Sequence, residues 1–177
     1  MKSKLLAISA ISSAFSAILL TVSAYVTFAD LFCLVISSAF VMLPLYYGSY
    51  KAGFLAFLVG GVIAFIFSGF NLTVMVIPAY LFFFGSFPLV KNFAVERGVN
   101  KAVVYVVGLV WCILAVYGIY FFYVKIMGLD FSHLPKIILD NVLLFVGIAG
   151  CIFYVVYERY VKTVKNFIDF YLKKIIK

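Results

Sequence analysis

Charged residues are scarce in this sequence, and their scarcity narrows the class of protein at once. Asp, Glu, Lys and Arg make up 11% of the 177 residues, whereas hydrophobic residues make up 67% and aromatic residues 20%. An ordinary soluble domain is about one quarter charged and about half apolar. The polar residues here are too few to cover the surface of a water-soluble fold. The composition therefore predicts an integral membrane protein whose surface is covered by the lipid bilayer.

Residues that carry catalytic or metal chemistry are equally rare. His133 is the single histidine, and Cys33, Cys112 and Cys151 lie in three different apolar segments with no CxxC pair. A His-rich metal site is thereby excluded, and the cysteines are expected to pack as small buried hydrophobes. The sequence contains neither a Gly-rich phosphate loop nor a Ser/His/Asp set. We therefore expect no metal, no cofactor and no enzymatic activity.

The apolar residues form long continuous runs, which suit transmembrane helices better than the alternating strands of about ten residues found in β-barrels. Charged and turn residues divide the chain into six such runs: Leu5–Phe28, Leu31–Tyr47, Ala52–Phe70, Leu72–Val90, Ala102–Val124 and Ile137–Tyr157. The links between them are short, so neighbouring helices are expected to be antiparallel. The sequence thus predicts an all-α membrane protein with six transmembrane helices, in which Lys91 marks the exit of helix 4 into water.

Basic residues predict the orientation of this bundle, because Lys and Arg are retained on the cytoplasmic side during insertion. Twelve of the fourteen Lys and Arg residues fall on one side of the predicted topology: Lys2, Lys4, Lys51, Lys91, Arg97, Lys101, Arg159, Lys162, Lys165, Lys173, Lys174 and Lys177. Only Lys125 and Lys136 fall on the other. The bias predicts that both termini are cytoplasmic.

The last twenty residues differ from the rest and predict a second unit. Residues 1–157 are expected to form the six-helix transmembrane domain, and residues 158–177 a basic amphipathic helix on the cytoplasmic side. Its lysines would lie beside the anionic inner leaflet. The net charge of +8 is therefore interpreted as a membrane feature, and no nucleic acid is expected as a partner because basic and aromatic residues form no second surface.

Polar side chains gather at the predicted outer rim, where we expect a ligand site. Its candidate residues are Asp30, Asn71, His133, Asp140 and Asn141. One interpretation is that Asp30 and Asn71 cap helix N-termini. The other is that helix N-termini at this rim bind an anionic group of a solute, together with Asp140 and Asn141, which are expected about one turn inside helix 6. The middle of every predicted span contains no ionisable residue, which argues against a proton-coupled pump.

Helix 1 contains small residues at four-residue spacing. In the segment LLAISAISSAFSAILL, Ala10 and Ala14, and Ser13 and Ala17, are four residues apart and lie on neighbouring turns. Small side chains so spaced allow another helix to approach closely in lipid. The partner is either a helix of the same chain or a separate subunit. Pro44, Pro78 and Pro88 fall within helices 2 and 4, where they either bend the helix axis and open a cavity or are simply tolerated.

These features together resemble the substrate-binding S components of energy-coupling factor transporters. The resemblance rests on six spans in fewer than 200 residues, on the Ala10-xxx-Ala14 motif in the inner half of helix 1, and on the polar outer rim. The segments LYYGSYKAGFLAFLVGG and AYLFFFGSFPLVKN are also similar to a family of uncharacterised six-span bacterial membrane proteins distantly related to those components. The likeness covers approximately residues 5–157.

The resemblance implies a function. It implies a bundle in the bacterial inner membrane that holds a small solute near its outer face, with Ala10, Ala14 and Ala17 facing a transmembrane T component and with ATPase subunits as further partners. The chain itself has no nucleotide-binding motif. An alternative expectation is an interaction or assembly subunit that recruits partners through the same helix face without binding a solute.

Overall fold

The computed structural model describes residues 2–26, 29–69, 76–125, 128 and 141–175, and the regular elements within these residues are helices. We label the helices α1 to α6: α1 (Lys2–Tyr25), α2 (Asp30–Tyr46), α3 (Tyr50–Phe67), α4 (Val76–Glu96), α5 (Lys101–Lys125) and α6 (Val142–Ile175). The predicted all-α fold is therefore confirmed. The predicted starts of helices 4 and 6, at Leu72 and Ile137, lie outside the described residues.

Of the six helices in the described residues, five are long and apolar enough to cross a membrane: Ser3–Tyr25, Tyr50–Phe67, Val76–Glu96, Lys101–Phe122 and Val142–Tyr171. The remaining helix, α2, is apolar but has 17 residues. At a rise of 1.5 Å per residue it is about 25 Å long, somewhat shorter than the roughly 30 Å of a hydrocarbon core. The structure thus supports a multi-pass membrane protein, with five helices of full membrane length where the sequence predicts six spans.

Contacts between helix ends show which ends lie together. The Tyr25 hydroxyl at the end of α1 donates to the Phe67 carbonyl at the end of α3 (3.0 Å), and Tyr117 late in α5 donates to Leu143 early in α6 (2.7 Å). Successive helices are therefore antiparallel. We call the end where α2, α4 and α6 begin the Asp30 end of the bundle, and the opposite end, where α1, α3 and α5 begin, the Lys91 end.

The links at the Lys91 end depend on glycine. Gly48 and Gly98 have φ values of 79° and 78°, in the left-handed region that other residues rarely adopt. Each follows the end of a helix, where a left-handed residue turns the chain out of the helical path. The side chain of Ser49 then accepts a hydrogen bond from the Ala52 amide (3.3 Å) and caps the start of α3.

Helix α4 is the most buried of the five membrane-length helices, and its hydrogen bonding is irregular at its centre. Residues Tyr80–Phe84 form a π-helical segment, in which the Gly85 amide donates to the Tyr80 carbonyl five residues back (2.8 Å). A Cβ atom at Gly85 would clash with the Phe57 ring of α3. Glycine therefore allows α3 and α4 to approach closely at this irregular segment.

Aromatic side chains pack α4 against α6 at the centre of the bundle. The Tyr157 ring centroid lies 5.3 Å from those of both Phe83 and Phe84, and the Phe87 ring lies 5.8 Å from that of Tyr154. These rings are buried, and edge or tilted packing of this kind stabilises aromatic pairs beyond the area they bury. The cluster fixes the position of α4 relative to α6, and so shapes the cavities on either side of it.

Helices α4 and α6 both continue beyond the ends predicted for them. Helix α4 runs to Glu96 rather than Val90, and α6 runs without a break from Val142 to Ile175, through the predicted domain boundary at residues 157 and 158. At 1.5 Å per residue, the 34 residues of α6 extend about 50 Å. This exceeds the hydrocarbon thickness, so part of α6 would extend past the bilayer core.

Candidate functional site

A cavity of about 330 Å³ opens in the Asp30 half of the bundle, which the sequence predicts to face the exterior, and we call it the outer cavity. The four helices α2, α4, α5 and α6 form its walls. Its lining residues are Asp30, Leu31, Leu34, Val76, Ala79, Phe83, Phe84, Cys112, Ala115, Val116, Ile119, Ala149, Gly150 and Phe153. Its volume falls within the range of about 300–1,000 Å³ that is typical of small-molecule sites.

Chain direction gives the depth of each lining residue. Helices α2, α4 and α6 run away from the Asp30 end and α5 runs toward it, so Asp30, Val76 and Ile119 lie near the mouth. Phe84 and Phe153 lie deeper, where the aromatic cluster closes the cavity with rings 5.7 Å apart. We call the end of the cavity at Asp30 its mouth, and the opposite end, formed by aromatic rings, its floor.

Small residues explain why this space is left open. Ala79, Ala115, Ala149 and Gly150 come from three helices and leave room that larger side chains would fill. A Cβ atom at Gly150 would have no neighbour closer than 3.7 Å, so a side chain there has space to extend. The helices around Gly150 are thus packed less closely than is usual in protein interiors.

Among the described residues that line the outer cavity, Asp30 is the one acidic or basic residue. It is the first residue of α2 and is partly buried. Its Oδ1 accepts a hydrogen bond from the Ser23 hydroxyl of α1 (3.2 Å), which holds the carboxylate near the mouth. A carboxylate in apolar surroundings favours a ligand that brings a positive charge or a hydrogen-bond donor, because either offsets the cost of burial.

The remaining predicted ligand residues are not brought to this cavity by the described part of the structure. Asn71, His133 and Asp140 lie outside the described residues. Asn141 is exposed and lies in a turn directly before Val142, where its carbonyl accepts the amides of Leu144 and Phe145 (3.0 and 3.1 Å). The expectation that Asn141 lies one turn inside helix 6 is therefore wrong, because described α6 begins after it.

The three alanines predicted to face a partner on helix 1 differ in burial. Ala17 is buried, with 4% of its surface exposed, among residues that pack on α2 and α3, whereas Ala10 and Ala14 are exposed. Gly60 of α3 approaches closely here, since a Cβ atom at Gly60 would lie 3.1 Å from the Ser16 Cβ. Small residues in the middle of α1 thus pack against a helix of the same chain, which is one of the two alternatives given for this helix face. Ala10 and Ala14 lie on the surface.

An open groove lies between α1 and α3 toward the Lys91 end. It has a volume of about 500 Å³ and is lined by Ser9, Ala10 and Ser13 of α1 and by Ala52, Ala56 and other residues of α3. Ala10 lies on its wall. The surroundings of Ala10 therefore differ from those of Ala17, although the two residues are two helical turns apart on the same side of α1.

The cysteines lie inside the helices as predicted. Cys33 and Cys112 are buried and Cys151 is partly buried, and all three are free thiols. Cys112 lines the outer cavity and its thiol lies 3.9 Å from the Gly150 carbonyl. Among the described residues no three His, Cys, Asp or Glu side chains come together in a group that could hold a metal ion.

Sequence reasoning missed most of the cavity lining, namely the aromatic floor and the small residues from α4, α5 and α6. These residues look like ordinary components of membrane helices, and no spacing rule separates a cavity wall from a packed interface. The comparisons with known proteins add no relative: the chain matches no protein-family model, no curated protein and no solved structure.

Proposed function

We propose that this protein is a membrane-embedded solute-binding subunit of a bacterial uptake transporter, similar in role to an S component. The observation that supports the proposal best is the outer cavity, which lies in the Asp30 half of a multi-helix bundle and has the carboxylate of Asp30 near its mouth. A largely apolar pocket with few polar groups is the usual form of a small-molecule site. The resemblance of the sequence to S components also implies that a small solute is bound in this half of the bundle.

The chemistry of the outer cavity suggests a class of solute. Its walls are apolar and aromatic, and the charge of Asp30 disfavours an anion beside it. A small, mainly apolar molecule with an amine or another hydrogen-bond donor fits both properties. In this proposal Asp30 binds the donor group, and Phe83, Phe84 and Phe153 contact the apolar part.

Orientation follows from the basic residues rather than from the fold. The proposed topology has the Lys91 end in the cytoplasm, both termini inside, and the mouth of the outer cavity toward the exterior of the bacterial inner membrane. Uptake would then begin with capture at the Asp30 end. The energy would come from partner subunits, a transmembrane T component and ATPases.

Ala10 and Ala14 are the proposed contact to such a partner. Both are exposed on α1, and Ala10 lies in the groove toward α3. A helix of another subunit can approach small residues more closely than it can approach Leu or Phe. Replacing Ala10 and Ala14 with Leu should release the protein from co-purifying T-component and ATPase subunits, and co-purification that survives both changes argues against this contact.

Ligand-dependent stability tests the solute-binding role. A thermal-shift screen of the detergent-purified chain against small amines should find a compound that stabilises the protein, by about 2.7 kcal/mol at a hundredfold excess over its Kd. Asp30→Asn and Gly150→Leu should each remove the shift, the first by deleting the charge and the second by filling the cavity. Asp169→Asn, on the distal part of α6, is the matched control and should keep it.

The second candidate function is an interaction subunit without a solute, and the exposed Ala10 and Ala14 face favours it equally. The two functions differ in the thermal-shift screen. An interaction subunit is not stabilised by any amine and its behaviour is unchanged by Gly150→Leu, but it still loses its protein partners when Ala10 and Ala14 become Leu.

A further inference from the structure

A second, polar pocket of about 250 Å³ lies at the Lys91 end, between α4, α5 and α6, and we call it the lysine pocket. Four lysines line it, one from α4 (Lys91), one from α5 (Lys101) and two from α6 (Lys162 and Lys165). Two charged residues that are distant in sequence, Lys91 and Glu158, form the inner part of its wall. The lysines therefore converge from three helices on one space.

The charges of the lysine pocket do not balance. Lys91 forms an ion pair with Glu158, with 2.6 Å between Nζ and Oε1, and these side chains are only 15% and 22% exposed. Within the described part of the chain this is the sole ion pair, so Lys101, Lys162 and Lys165 have no carboxylate partner there. The pocket thus carries a net charge of about +3. Like charges held together repel, and an anion bound between them would relieve that repulsion.

Hydrogen bonds between other residues fix the wall of the lysine pocket. Asn92 at its wall is buried and its side-chain amide donates to the Pro88 carbonyl (2.8 Å), and the Tyr154 hydroxyl donates to the Tyr105 carbonyl (3.0 Å). These bonds keep the polar wall in place without using the lysines. A Lys ammonium is a compact charge that binds phosphate well, and basic pockets between membrane helices on the cytoplasmic side bind anionic lipid headgroups.

We propose that the lysine pocket binds a phosphate group, and that Lys101, Lys162 and Lys165 provide its charge. The phosphate is carried either by the headgroup of an anionic phospholipid or by a soluble phosphate compound. Lys91 has a different role, since its charge is already paired with Glu158. This inference is independent of solute binding at the outer cavity, which lies in the opposite half of the bundle.

Native mass spectrometry of the full chain, with phosphatidylglycerol and phosphatidylcholine titrated separately, tests the proposal. The wild type should prefer phosphatidylglycerol, and a triple variant, Lys101→Gln with Lys162→Gln and Lys165→Gln, should lose about a hundredfold in affinity if each lysine contributes as a surface lysine does. A charge-matched control replaces the exposed Lys4, Lys51 and Arg159 with Gln and should retain the affinity. Replacement of the same three pocket lysines with Arg should also retain it, which separates lost charge from misfolding.

Competition by inorganic phosphate identifies the source of the group. Phosphatidylglycerol that is not displaced by millimolar phosphate indicates a lipid site. Displacement, with phosphate raising the Tm of the wild type but not of the triple Gln variant, indicates a soluble phosphate compound. Equal affinity for the two lipids, combined with no effect of phosphate on Tm, overturns the proposal. Equal losses in the pocket variant and the control variant also overturn it, because they show a general surface charge effect.

Discussion

The Tyr157 hydroxyl donates a hydrogen bond to the Phe84 carbonyl at 3.1 Å, and the residue four positions after Phe84 is Pro88, which has no amide hydrogen. In a regular helix the Phe84 carbonyl would accept from residue 88, but proline lacks the N–H. A side chain of α6 therefore supplies the donor that α4 lacks. Both Tyr157 and Pro88 are among the most deeply buried residues of the chain.

Removal of this hydroxyl should destabilise the protein. Tyr157→Phe keeps the aromatic packing but leaves a buried carbonyl short of a donor, which costs about 1–2 kcal/mol. For a chain of this size, each kcal/mol corresponds to roughly 2–4 °C in Tm, so thermal unfolding in detergent should detect the change. Tyr171→Phe, on an exposed part of α6, is the control and should leave Tm unchanged. An equal Tm for wild type and Tyr157→Phe would mean that the bond contributes nothing.

Two glycines on α5 should respond differently to substitution by alanine. A Cβ atom at Gly108 would clash with the Tyr154 hydroxyl and would lie 2.6 Å from the Phe87 ring, whereas one at Gly118 would meet nothing within 4 Å. Gly108→Ala should therefore cost about 1–3 kcal/mol by overpacking. Gly118→Ala should be neutral or stabilising by up to about 1 kcal/mol, because alanine is the better helix former. Parallel melting curves of the two variants test this, and similar effects at both sites would contradict the packing described.

The ion pair between Lys91 and Glu158 should be revealed by a double-mutant cycle. Lys91→Met alone leaves the Glu158 carboxylate without its cation and should cost about 1–3 kcal/mol, less than the 3–5 kcal/mol of a fully buried pair because both side chains are partly exposed. Lys91→Met combined with Glu158→Leu should recover most of that loss. Lys51→Met changes an exposed lysine and should have little effect. Additive losses in the double variant would show that the pair does not act as a unit.

Labelling with a membrane-impermeant thiol reagent tests the topology. Ala29→Cys, directly before α2, should be labelled in intact cells, and Tyr47→Cys, directly after α2, only after the membrane is opened. This result would also show that α2 crosses the membrane despite its 17 residues. Labelling of both positions from the same side would exclude a crossing by α2 and would place the two ends of the chain on opposite faces.

The sequence predicts where the helices lie better than it predicts which residues each helix face contacts. Long apolar runs bounded by charges predict helices because a chain in lipid must satisfy its backbone hydrogen bonds internally. The spacing of alanines on α1 could not show that Ala17 is buried and Ala10 exposed on a groove, because that difference depends on how α1 packs against α3. The contacts of a helix face depend on helix crossing geometry, which the sequence of one helix does not contain.

The partner of Lys91 likewise could not be predicted from the sequence. A lysine after an apolar run predicts an exit into water, but α4 continues for five more residues and Lys91 instead pairs with Glu158, 67 positions away in the chain. Of the predicted ligand residues, Asp30 lines the outer cavity and Asn141 is not among its described lining residues, whereas Asn71, His133 and Asp140 stay predictions. The cavity itself depends on small residues from three helices, and only the packed bundle brings them together.

The most direct test of the proposed function is the mass of whatever the protein carries when it is extracted gently from its own membrane. Native mass spectrometry of the wild type should show a bound small molecule with an amine or similar donor, and the same preparation of Gly150→Leu should lack it while keeping the helical content of the wild type. A wild type without any bound molecule and without stabilisation by any amine, or a Gly150→Leu variant that retains the same mass, would contradict solute binding in the outer cavity.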